Sequence, residues 1–333
     1  MPIDRTKPLV QVKDLKKYFP IRGNIFAPVK GQIHAVDGLS FEIMPGKSMG
    51  LVGESGCGKT TTGKLLVRLH EPTDGEILIQ DLNGNLENIA HRKGKQLKMF
   101  RRNVQMIFQD PYESLNPRHT IFDIVSEPLA VQNIGTLAER QERVADLLNV
   151  VGLTPAHTFM FRFPHELSGG QRQRVAIARA LVIEPNFIVA DEPTSMLDVS
   201  IRIGVMQLME DLADRFGVSY LYITHDLAVA RYMTDHIGVM YLGKMVERAE
   251  TEELLQNPLH PYTKALLAAT PVPDPRVGRD EIIIKGGVSK PIDPKPRCRF
   301  YERCPISDDF CKNNPHPPLE DKGGGHYVAC YKV

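Results

Sequence analysis

The chain has 333 residues, of which 42% are hydrophobic and 24% charged, the balance of an ordinary water-exposed globular protein. Its 41 basic and 40 acidic residues leave a formal net charge of +1, so it lacks the basic excess of a nucleic-acid-binding chain. No apolar run reaches the roughly eighteen residues that a membrane helix needs, and Met1–Arg5 leads into no signal-peptide core. The length suggests one large domain with an appendage. A cytosolic location is expected, with any membrane association made through a partner.

In chain order, residues 8–19, 33–43 and 47–53 read as strands. A Gly-rich turn follows Leu51 and Val52, and a helix is predicted from about Lys59 to Leu69. Asp74-Gly75 marks a turn before the apolar run Ile77-Leu78-Ile79, and residues 104–108 read as another strand. Residues 111–183 are mostly helical, with Leu137, Val144, Leu147 and Leu148 at helical spacing and a second strong helix over 171–183. Two short buried strands, Phe187–Ala190 and Tyr220–Ile223, flank a helix over 200–215. Strands alternating with helices imply a mainly parallel sheet covered on both faces.

The composition changes near residue 270. Ten prolines lie between Pro271 and Pro318, beside Gly286-Gly287 and Gly323–Gly325. Such density blocks helices and central strands, and an irregular appendage is expected that could hardly fold without a metal or partner. The division expected is a domain over 1–250, with its helical part at about 111–183, and an extension over 251–333.

Gly53-Glu54-Ser55-Gly56-Cys57-Gly58-Lys59-Thr60, followed by Thr61, fits G-x-x-x-x-G-K-S/T between a strand and a helix. Glycines there let backbone N–H groups turn inward around phosphate oxygens, and the following helix adds its positive N-terminus. Lys59 then reaches the β- and γ-phosphates of ATP, and the Thr60 hydroxyl ligates Mg²⁺. Cys57 reads as a neutral filler. The bland alternative is a Gly-rich turn that binds nothing. The apolar run Phe187–Ala190 ends in Asp191 and Glu192. Beside a phosphate loop, Asp191 can hold the Mg²⁺ shell and Glu192 can polarise an attacking water; alone, the pair could be an ordinary strand end.

Leu167-Ser168-Gly169-Gly170-Gln171 resembles the signature pentapeptide of the ABC transporter ATPases, and the resemblance covers about residues 9–245. It implies a P-loop NTPase (RecA-like) α/β fold with a helical subdomain. It also implies that Gln109 is the Q-loop glutamine, another Mg²⁺ and water ligand, and that Ser195–Asp198 is the D-loop, in which Asp198 meets the opposite monomer. His225 matches the switch histidine at the γ-phosphate, and Phe19 the aromatic that stacks on adenine, with Tyr18 adjacent. Two such cassettes face head to tail, each ATP lying between one phosphate loop and the partner's signature. Glu192 and His225 are both present, which speaks against a non-hydrolysing cassette. A single phosphate loop and the short gap over 61–166 speak against the translation and repair types.

Asn257–Leu267, with its His260-Pro261-Tyr262 core, resembles the segment after the cassette in oligopeptide and dipeptide importer ATPases, as does Phe163–Leu167. The insertion from Pro20 to Gln32 resembles the F-type member of that ATPase pair, although Ala190–Thr194 also resembles the D-type. The family implies a sister ATPase, two transmembrane permease subunits and, indirectly, an extracytoplasmic substrate-binding protein, and places the chain at the cytoplasmic face of the membrane. Relatives carry oligosaccharides or nickel instead of peptides. Cys298, Cys304, Cys311 and Cys330 suit zinc or an iron–sulfur cluster. Their gaps exceed those usual for structural zinc, and the subfamily resemblance implies a 4Fe-4S cluster; zinc and free or disulfide-bonded thiols are the alternatives.

Overall fold

The computed structural model describes residues 3–23, 28–81, 84–269, 284, 286–287 and 290–333. Part of the Pro20–Gln32 insertion and most of the stretch 270–289 therefore lie outside the described residues.

The chain opens with long strands β1 (Val10–Ile21) and β2 (Gly31–Ile43), then β3 (Ser48–Val52), which runs into helix α1 (Lys59–Leu66). Strands β4 (Asp74–Gln80) and β5 (Leu86–Asn88), helix α2 (Gly94–Asn103) and strand β6 (Val104–Ile107) follow. Strands β2, β1, β4 and β5, in that order, form a separate antiparallel sheet. This sheet is an addition to the mainly parallel one expected: β1 and β2 are neighbours in sequence as well as in space, and the intervening segment is short enough for direct antiparallel pairing. Asp74-Gly75 belongs to β4, and α1 ends at Leu66, short of Leu69.

Helices α3 (Pro111–Ser114), α4 (Ile121–Gln132), α5 (Leu137–Val150), α6 (Ala156–Met160) and α7 (Gly169–Leu181) make the helical part. Thr120 with Asp123 and Thr136 with Glu139 form reciprocal caps at the heads of α4 and α5, each cap worth about 1 kcal/mol. Their apolar faces meet in one core containing Ile124, Val125, Leu129, Val144, Leu148 and Ile177.

Strand β7 (Phe187–Asp191), helix α8 (Val199–Phe216), strand β8 (Ser219–Thr224), helix α9 (Leu227–Met233) and strands β9 (His236–Tyr241) and β10 (Lys244–Glu250) complete the cassette. In the second sheet β9, β3, β8, β7 and β6 are parallel neighbours. The fully buried apolar runs of β7 and β8 fit strands covered on both faces. Strand β3 lies centrally, and the phosphate-loop sequence leaves its carboxyl end, where open α/β sheets bind ligands.

The described part of the tail carries more regular structure than its proline content suggests. After α10 (Thr251–Gln256) and α11 (Pro261–Ala269) come α12 (Asp309–Asn313), β11 (Glu320–Asp321) and β12 (Tyr327–Val328). Strand β12 pairs with β10 and so extends the central sheet. Phe300 is fully buried against Tyr241 and Tyr262, a contact of about 2–3 kcal/mol. Glu247, 0% exposed, accepts from the N–H groups of Leu259 and His260 at 2.7 and 3.0 Å and meets His326 Nε2 at 2.8 Å. The tail thus borrows the cassette's core, a long-range docking that local composition does not reveal.

Candidate nucleotide site

The loop between β3 and α1 is shaped by three glycines at positive φ: Gly53 at 148°, Gly56 at 79° and Gly58 at 112°. At Gly53 a Cβ would stand 2.3 Å from the Met240 carbonyl oxygen, and at Gly58 2.1 Å from that of Ala35. Only glycine fits either place. Ser55 and Gly56 are exposed at the outer rim, whereas Cys57 is buried in the core with its thiol pushed up by burial. That burial fits a filler. Lys59 is 5% exposed, and its Nζ donates to the carbonyls of Gly53 at 2.6 Å and Glu54 at 3.0 Å. The ammonium is held across the loop mouth. Thr60 and Thr61 occupy the first turn of α1, and the Thr60 hydroxyl donates to Asp191 Oδ1 at 3.1 Å.

Asp191 is the last residue of β7 and is buried. Burial raises its pKa, with Glu192 adding to the rise and the Thr60 hydrogen bond opposing it. Glu192 takes φ of 44°, unusual for a non-glycine residue, while its N–H donates to the Ile223 carbonyl at 2.8 Å. That turn aims its carboxylate between two partners. Gln109 Nε2 donates to Oε2 at 3.1 Å, and His225 Nδ1 lies 3.0 Å from Oε1. Gln109 follows β6 and His225 follows β8, so three neighbouring strands deliver the trio to one place.

Phe19 and Tyr18 separate clearly. Tyr18 donates to Asp37 Oδ1 at 2.6 Å and stacks on His34 with centroids 3.9 Å apart. Phe19 is partly exposed, with His70 edge-on at 5.7 Å and Lys17 Nζ 5.1 Å from its centroid. Tyr18 is engaged within the fold, and Phe19 keeps accessible surface.

The signature pentapeptide heads α7. Ser168 Oγ accepts from the Gln171 N–H at 3.3 Å, and the Ser168 N–H donates to Gln171 Oε1 at 3.0 Å. Leu167 is buried, and a Cβ on Gly170 would stand 2.6 Å from Ile201 Cγ2. Gly169 lies against Leu197, so the signature packs on the D-loop region. Asp198 caps α8 by position and is exposed, among exposed Met196, Val199 and Ile203.

The four tail cysteines are free thiols. Cys298 is pushed up to about 11, chiefly by burial, with Cys311, Cys330 and Cys304 adding to the shift as near neighbours. The expected metal centre is not supported: among the described residues, no group of three or more His, Cys, Asp or Glu side chains could hold a metal ion. Sequence reasoning also missed Arg303 and the role of Tyr262, both of which hold Glu54. The His-Pro-Tyr run pointed to Tyr262, but no local signal marks Arg303.

Among the described residues no helix is long and apolar enough to cross a membrane. The family model described as ABC transporter matches residues 36–195, and that described as oligopeptide/dipeptide transporter, C-terminal region, matches residues 246–311. The chain is 47% identical to the oligopeptide transport ATP-binding protein AppF of Bacillus subtilis over 325 residues, 97% of each chain. It is 44% identical to the dipeptide transport ATP-binding protein DppF of Haemophilus influenzae over 331 residues, 99% of this chain and 98% of that one. Among solved structures it resembles the dimeric bacterial ABC transporter cassette MJ0796, with a TM-score of 0.63 and 29% identity over 73% of this chain and 98% of that one. With the glycine-shaped loop, the Gln109–Glu192–His225 trio and these whole-length similarities together, the chain belongs to the ATP-hydrolysing, ATP-binding proteins of the ABC transporters, in the oligopeptide/dipeptide transport family.

Proposed function

We propose that this chain powers import of dipeptides or oligopeptides by hydrolysing ATP between itself and a second cassette. The observation that carries the reading is Glu192 held between Gln109 and His225, one residue beyond the Asp191 that contacts Thr60 of the phosphate loop. The peptide cargo is taken from the names of its relatives.

Each residue has a task in this reading. Lys59 exchanges its carbonyl partners for the β- and γ-phosphates, while the loop N–H groups and the head of α1 face the rest of the triphosphate. The donor set of Thr60, Gln109 and Asp191 suits Mg²⁺, a hard cation that takes oxygen ligands; when bound, the ion neutralises phosphate charge. Glu192 orients and deprotonates the attacking water, and His225 contacts the γ-phosphate. Phe19 stacks on adenine. Leu167 to Gln171 present the head of α7 to the partner's ATP, and Asp198 reaches the opposite monomer. The exposed apolar side chains Met196, Val199 and Ile203, at 55, 72 and 50% exposure, support a protein surface covering this face.

The partners proposed are a sister ATPase, two transmembrane permease subunits and an extracytoplasmic binding protein that supplies cargo, with the chain at the cytoplasmic face. Reconstitution of that complex in liposomes tests the reading. Binding protein loaded with a dipeptide or oligopeptide should stimulate ATP hydrolysis. Stimulation only by a nickel- or oligosaccharide-loaded binding protein would overturn the cargo assignment.

The finer reading of the tail, a 4Fe-4S cluster on Cys298, Cys304, Cys311 and Cys330, rests on the presence of four free thiols in one stretch of the sequence; among the described residues they form no group able to hold a metal ion. Iron and sulfide analysis of anaerobically purified protein tests it. About four irons per chain are expected for a cubane held by Cys₄; stoichiometric zinc, or no metal, overturns it.

A further inference from the structure

The tail grips the phosphate loop itself. Arg303, 249 residues from Glu54, forks onto its carboxylate: Nη1 donates to Oε2 at 2.7 Å and Nη2 to Oε1 at 2.9 Å. The backbone N–H of the same Glu54 donates to the Tyr262 hydroxyl at 2.9 Å. The Glu54 carbonyl accepts from Lys59 Nζ. One loop residue is thus held at its side chain and backbone by residues beyond 250, and it in turn holds the lysine.

The grip is built into the fold. Arg303 is 8% exposed and Tyr262 0%. The guanidinium lies 5.7 Å from the Tyr241 ring, and Phe300 packs on Tyr241 and Tyr262 at 5.1 and 5.4 Å between centroids. Tyr241 ends β9, the strand beside β3, from which the loop departs. An Arg fork fixes a carboxylate in direction as well as charge.

The charge has a consequence. Glu54 is an acid within the loop that is to receive a polyanion. Uncompensated, its carboxylate repels the triphosphate; paired with Arg303, the loop presents its N–H groups without that repulsion.

We propose that Arg303 and Tyr262 are positioning residues of the nucleotide site, through which the docked tail sets the charge and shape of the phosphate loop and hence ATP affinity. This rests on reading Gly53–Thr60 as the phosphate cradle.

The test is ATP affinity by titration calorimetry on the full chain, for the native protein and for Arg303→Met, Glu54→Gln/Arg303→Met and Lys59→Ala. Arg303→Met should weaken ATP binding about tenfold, the scale of one uncompensated charge near a polyphosphate. The double variant should recover most of that loss, because the repelling carboxylate is gone; a merely structural role predicts no recovery. Wild-type affinity in Arg303→Met, or a double variant as weak as the single, overturns the proposal while Lys59→Ala still loses binding. Unchanged affinity in Lys59→Ala overturns the cradle reading instead, and the proposal with it. Should Arg303→Met not fold, Tyr262→Phe keeps the ring and removes only the hydroxyl. It should raise KM for ATP about threefold, more than it lowers kcat, on the scale of one hydrogen bond; an unchanged KM overturns the proposal.

Discussion

The Thr60 hydroxyl donates to Asp191 Oδ1 at 3.1 Å, joining the first turn of α1 to the end of β7 across 131 residues. Two oxygens meet there beside the phosphate loop, and burial raises the Asp191 pKa despite the hydrogen bond. Thr60 and Asp191 would hold a cation there, whose charge would offset that cost. Asp191→Asn should therefore keep ATP binding measured without Mg²⁺. It should lower Mg²⁺-dependent hydrolysis by about a hundredfold or more, the scale of several kcal/mol of metal charge stabilisation. A magnesium titration of steady-state hydrolysis checks this.

The Gly58 backbone admits no side chain. Its φ of 112° and the Ala35 carbonyl oxygen 2.1 Å from an added Cβ both exclude one. Gly58→Ala should destabilise the fold by roughly 1–3 kcal/mol, the range for a strained backbone position, and abolish measurable ATP binding. Denaturant unfolding and nucleotide titration on the same preparation separate the two effects.

Acid should loosen the tail. Burial pushes His260 down to about 3 from an ordinary 6.5, and its Nδ1 accepts the Tyr262 N–H at 3.0 Å. Between those values the unfolded chain binds a proton that the folded chain refuses, so stability rises with pH across the window. This contribution is complete above about pH 6.5 and is lost progressively as pH falls toward 3. Its slope reaches at most about 1.4 kcal/mol per pH unit. Unfolding free energies measured at several pH values should show the slope, and His260→Gln should remove its share, leaving that of His316, which burial also pushes down to about 3.

The cassette was legible where its chemistry is contiguous. Gly53 to Thr60 can be read because the glycines, Lys59 and Thr60 must stand at fixed spacing on one turn. Phe187 to Glu192 can be read because a buried strand leaves no polar residue until its end. Helix α2 escaped notice because its only buried residue is Phe100, too little for an apolar stripe. Strands β9 and β10 escaped because their hairpin closes at Leu242-Gly243, where a leucine takes the positive φ of 43° at a place that Asn or Asp would have marked. The antiparallel sheet was missed because separate strands carry no local sign of which sheet they join. Arg303 was invisible in principle: an arginine in a proline-rich stretch gives no hint of a carboxylate 249 residues away.

The central claim is that Glu192 activates the water that cleaves ATP, and Glu192→Gln tests it most directly. The amide keeps the side chain's size and can still meet Gln109 and His225, but it cannot take a proton from water. Nucleotide binding should persist, with ATP trapping a dimer visible by light scattering. Hydrolysis should fall by about 10²–10⁴-fold, the contribution of a positioned general base. Turnover within a few-fold of the native protein, measured as phosphate release at saturating ATP, would contradict the account.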